Sequence, residues 1–109
     1  MKKTILTAAA LIAISTTAQA EIKYNFKDSA HKADMVCIAT YGVGRDVLEN
    51  KDIEAFKELT NVQNNLILKY AYSKQLNQHV EARKILIKNS WTIDQLSDKI
   101  TECSKGVDN

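Results

Sequence analysis

The chain has 109 residues, with 15 basic and 13 acidic side chains. Lys2 and Lys3 carry the whole formal excess of +2, leaving the rest of the chain balanced; an even balance argues against nucleic acid as a partner, which needs a basic face to neutralise phosphates. The length allows one domain with a modest core, a size at which a covalent staple contributes heavily to stability.

At the N-terminus Lys2 and Lys3 precede Ile5 to Ile14, a run interrupted only by Thr7, and Ser15-Thr16-Thr17 leads into Ala18-Gln19-Ala20. A basic start, a short apolar core and small residues at the end are the pattern a signal peptidase reads. The apolar run is about half the roughly twenty residues a membrane-spanning helix needs. Residues 1–20 are therefore expected to be a secretory signal peptide, cleaved after Ala20. Glu21 rather than cysteine follows, so the signal is not of the lipoprotein kind. Residues 21–109 are expected to form a single helical domain in the periplasm or outside the cell. In such an oxidising compartment Cys37 and Cys103, the only two cysteines, have one intramolecular pairing open to them.

The segment Glu21 to Lys27 alternates briefly through Ile22, Tyr24 and Phe26. It is too short for a sheet of its own and reads as an extended arm laid over helices. There is no proline, and beyond the arm glycine occurs only at 42, 44 and 106. With few breakers and several 3.6-residue stripes, the chain is expected to be all-α, a small bundle of about four helices. The first starts at Asp28 or Ser29 and carries Ala30, Ala33, Cys37 and Tyr41 on one face. Gly42-Val43-Gly44 is expected to end it. The second starts near Asn50 to Asp52 and carries Ile53, Phe56, Leu59 and Val62, continued by Leu66, Ile67 and Tyr70. Asn61, Asn64 and Asn65 weaken its middle, so one long helix and a kinked pair are both compatible. Leu76 to Asn89 reads as a third helix. The last is the best marked: Thr92 and Gln95 form a capping box, and Trp91 with Leu96 a hydrophobic staple. Ile93, Leu96, Ile100 and Cys103 share a face, and Gly106 is expected past its end. Both cysteines thus lie on apolar faces, and the disulfide should tie the first helix to the last.

Chemistry-bearing constellations are sparse. His31 with Asp34 has helical spacing, whereas His79 and Glu81 do not face one way on a helix. Neither matches a zinc-ligand series, and both histidines read as surface residues. Gly42-Val43-Gly44 lacks the third glycine of a dinucleotide loop, no serine sits in a nucleophile-elbow context, and no C-x-x-C is present. No catalytic residue, metal or cofactor is expected, and the protein is not expected to be an enzyme. Tyr70 and Tyr72 lie two apart and cannot both enter one helix-facing core. Whichever is exposed is the candidate partner contact, because tyrosine supplies large, rigid interface area.

The stretch Asp34-Met35-Val36-Cys37-Ile38-Ala39-Thr40-Tyr41-Gly42 resembles the first helix of small periplasmic immunity proteins that neutralise type VI secretion amidase effectors. Those proteins are also exported, short and helical, with a cysteine, a small-residue pair and an aromatic near the end of the first helix; a second cysteine in a late helix, here Cys103, is compatible. The resemblance implies a protein-binding inhibitor that plugs the groove of a cell-wall hydrolase, and it identifies no inhibitory residues here. Two further readings stay open. One is an accessory, host-toxic or protective protein of a conjugation or secretion apparatus. The other is an acid-stress periplasmic chaperone.

Overall fold

In the structure, a computed structural model, residues 22–108 are described, with side chains as far as Lys105. The expected signal peptide and its cleavage point lie outside the described residues. Four helices follow in order: α1 (Ser29–Leu48), α2 (Ile53–Leu68), α3 (Lys74–Ser90) and α4 (Ile93–Asp108). The expected all-α bundle is what forms. Its layout is radial, because α2, α3 and α4 each pack on α1 and far less on one another.

Each helix begins where a short polar side chain replaces a missing backbone partner. The Asp28 carboxylate accepts from the Ala30 and His31 amides, Asp52 from Ala55, and Ser73 from Leu76. At α4 the capping box forms in both directions, Gln95 N–H donating to Thr92 Oγ1 at 3.1 Å and Thr92 N–H to Gln95 Oε1 at 2.8 Å. Leu96 is buried and Trp91 packs against the same cluster, completing the staple.

The first helix departs from expectation at its glycines. It runs through Gly42-Val43-Gly44 to Leu48, and both glycines keep negative φ. Their role is close approach rather than termination. A Cβ on Gly44 would lie 2.9 Å from Leu59 Cδ1 of α2 and 2.9 Å from Ile100 Cδ1 of α4. One on Gly42 would lie 3.0 Å from Gln63 Nε2 and 3.3 Å from the Lys84 side chain of α3. Every residue from Ile38 to Gly44 is buried, which only a helix covered on all sides can achieve. Likewise α4 continues to Asp108, so Gly106 falls within it.

Helix α2 is one helix, and its buried residues are Ala55, Leu59, Val62, Gln63 and Asn65 rather than the expected stripe beginning at Ile53. Residues three apart drift by about 60° per step on a 3.6-residue helix. Ile53 therefore swings out to solvent while Leu59 and Val62 face α1. Tyr70 lies beyond the end of α2, in the linker to α3.

The core has two parts. Tyr24, Met35, Ile38, Val43, Tyr70, Leu76, Val80, Ile87 and Leu96 form the larger, and Tyr41, Leu59 and Val62 the smaller, beside the cysteines. Cys37 and Cys103 are bonded, with Cα atoms 5.8 Å apart, joining α1 to α4. Next to them Ser104 donates to the Ile100 carbonyl at 2.8 Å, so at the 3.3 Å Tyr41–Ser104 contact the tyrosine is the donor. The arm is laid down as expected. Ile22 forms a parallel bridge with Tyr70, and the Ala71 amide donates to the Ile22 carbonyl at 2.8 Å.

Candidate functional site

The linker between α2 and α3 separates the two tyrosines by environment. Tyr70 is 4% exposed and Tyr72 86%. The Tyr70 hydroxyl donates to the Asp34 carboxylate of α1, which also accepts from Lys69 Nζ at 3.0 Å. Burial, then the bond to Asp34 and its charge, push the Tyr70 hydroxyl well above the ordinary tyrosine range, so it stays a proton donor. Tyr70 is thus committed to the core, and Tyr72 is the tyrosine left facing solvent.

Tyr72 does not project from a loose loop. The Tyr70 amide donates to the Ile67 carbonyl at 3.0 Å, the Ala71 amide is held by the arm, and Ser73 caps α3. Backbone bonds therefore fix the chain on both sides of it. Just before it in sequence Ile67 and Leu68 are also exposed, at the end of α2. The result is a presented aromatic with aliphatic residues close by in the chain, the composition expected of an interface anchor.

The histidines are not free surface residues. His31 accepts a hydrogen bond from the Asn25 amide at 2.9 Å and meets the Tyr70 ring edge-to-face at 5.0 Å. His79 Nδ1 lies 2.9 Å from the Tyr24 hydroxyl. Tyr24, Phe26, His31, Tyr70 and His79 thus form one ring cluster drawn from the arm, α1, the linker and α3. Spacing along the chain carried no sign of it, because its members come from segments that only the fold brings together. Asp34, paired by spacing with His31, turns instead to Tyr70 and Lys69. Glu81 sits 3.9 Å from Lys84 on its own helix.

The asparagine tract also divides. Asn61 and Asn64 are exposed, while Asn65 is buried. Gln63, within the tract, is buried too; it donates to the Ile38 carbonyl at 3.1 Å and accepts from Arg45 at 2.6 Å, with the Arg45 guanidinium over the Phe56 ring. This network ties α2 to α1 and had no signal beyond a polar residue in a helical stripe. Trp91, Gln95, Asp98, Lys99 and Glu102 line an open depression along α4. Among the described residues no group of three His, Cys, Asp or Glu side chains is placed to hold a metal, and no helix is long and apolar enough to cross a membrane. No family model, curated protein or solved structure matches the chain.

Proposed function

We propose that the chain is a periplasmic inhibitor that works by binding another protein, an immunity protein against a cell-wall hydrolase effector. The observation that carries the reading is Tyr72, exposed on a linker held by backbone bonds at both ends. A side chain presented this way loses little freedom on binding, so a few anchors suffice for tight association. The disulfide between α1 and α4 supports an oxidising compartment, as does the signal-like segment ending at Ala20. Each side chain that suggested chemistry has a structural partner: the cysteines each other, His31 the Asn25 amide, His79 the Tyr24 hydroxyl.

The test begins with the mass of protein recovered from the periplasm, expected to start at Glu21. That protein is then titrated calorimetrically against purified cell-wall amidases. A stoichiometric complex that abolishes hydrolysis is expected, and Tyr72→Ala should weaken it by roughly thirtyfold, the scale of an interface anchor, without changing the helical circular dichroism. Equal affinity in Tyr72→Ala would remove that residue from the interface. Turnover by the isolated protein, lost on replacing His31 or His79, would overturn the binding reading.

A further inference from the structure

The two histidines of the chain converge on the arm. Tyr24 bonds His79 through its hydroxyl at 2.9 Å and stacks on His31 at 6.2 Å and 22°. The neighbouring Asn25 amide donates to His31 Nδ1 at 2.9 Å, and Phe26 closes on His79 edge-to-face at 5.9 Å. We propose that His31 and His79 form a clasp holding the arm over the core, in which the His31–Asn25 bond is the proton-sensitive half: acidification breaks it and leaves the arm held by His79 and Ile22 alone, loosened over the apolar surface beneath. Loosening the arm would also release the Ala71 amide beside Tyr72, so the test reads the arm itself and not partner binding.

The chemistry turns on one nitrogen. An imidazole accepts an N–H only through a lone pair, so the His31 bond requires the neutral ring with its proton on Nε2. A second proton fills Nδ1 and sets one donor against another, the Asn25 amide. The Tyr24 ring, 6.2 Å away, stands at the outer limit of cation–π attraction and offsets little of that loss. His79 behaves differently. Its protonated Nδ1 would donate to the Tyr24 hydroxyl, so that bond survives protonation.

The carboxylates near the His31 ring do not belong to the arm. Asp28, at the start of α1, interacts electrostatically with His31 and gives the protonated ring an alternative partner. Asp34, further along α1, is already taken by Tyr70 and Lys69 of the linker. On the arm, Lys27 lies over the Phe26 ring that meets His79. Away from the histidines the arm has the Ile22–Ala71 bond. Tyr24 is buried in the same cluster as Met35, Tyr70, Leu76 and Val80, so lifting it exposes that side of the core.

Nuclear magnetic resonance on the disulfide-intact protein tests this between about pH 8 and 5, the range over which imidazole changes charge. At the upper end the His31 ring nitrogens should report the Nε2–H tautomer. As that ring takes up its proton, exchange protection of the Ala71 amide, corrected for intrinsic rate, should fall about tenfold relative to the Tyr41 amide in the core. His31→Gln keeps an acceptor but cannot titrate, and should hold Ala71 protected at pH 5. Protection at Ala71 that ignores the His31 titration overturns the clasp, as does an equal loss in His31→Gln. Should that variant fail to fold, coincidence or divergence of the His31 ring and Ala71 signals in the native chain decides the matter.

Discussion

Three tyrosines leave water on folding and do so as neutral phenols. Burial raises the hydroxyls of Tyr24 and Tyr41, and burial with the Asp34 contact raises Tyr70 furthest. A raised folded-state value means the unfolded chain ionises first. The stabilisation is fully present below the ordinary tyrosine value of 10.0 and is lost as pH rises above it. Thermal midpoints should therefore begin to fall above about pH 10. Tyr70→Phe should cost roughly 2 kcal/mol at neutral pH, the worth of a hydrogen bond to a charged acceptor, yet decline less steeply in alkali than the native protein. A parallel decline in the two would assign the alkaline loss to other groups. That one tyrosine of the pair 70 and 72 would face solvent was legible, although the helical spacing it was argued from does not hold in the linker where both lie. Which one was not, because the answer depends on Asp34, placed opposite the linker by the fold.

At the scale of elements, the caps carried most of what could be read. The first two starts fall within the spans read from the sequence, at Asp28 and Asp52, and the last at the Thr92–Gln95 box, since each cap acts on amides within three residues of itself. Non-local packing was the part that escaped. Gly42-Val43-Gly44 has the composition of a helix stop, and only the approach of α2, α3 and α4 turns it into a packing surface. Gly44→Ala separates the two roles. In an open helix alanine would stabilise by about 1 kcal/mol relative to glycine. Here the added methyl meets Leu59 and Ile100 at 2.9 Å, and overpacking costs about 1–3 kcal/mol. Urea denaturation should show a net loss of about 1 kcal/mol; a gain would mean both side chains turn aside freely. The same limit explains the histidines, whose shared site spans the arm, α1 and α3, beyond the reach of any spacing rule.

For the molecule as a whole, the disulfide closes a separation of 66 residues. Chain entropy alone puts its contribution at about 4 kcal/mol, against total stabilities of roughly 5–15 kcal/mol for domains of this kind. Replacing both Cys37 and Cys103 with alanine should lower the thermal midpoint clearly. Amides of α4 should lose exchange protection before those of α3, because the bond reinforces the packing of α4 on α1 and none joins α3 to it. Uniform loss across all helices would instead place the bond's effect wholly in the unfolded chain. The pairing itself was legible, because two cysteines on apolar faces of the terminal helices leave one arrangement.

The radial layout governs how this protein tolerates change. Because α2, α3 and α4 meet chiefly through α1, substitutions in two different outer helices share few contacts and their effects should add. Pairs that include the buried turns of α1 should not. Each outer helix is then free to vary its own solvent face without a compensating change in its neighbours, as Tyr72 and the adjoining end of α2 would need in following a changing partner. The constraint gathers in one stretch, Ile38 to Gly44, where a single side chain answers to several helices at once.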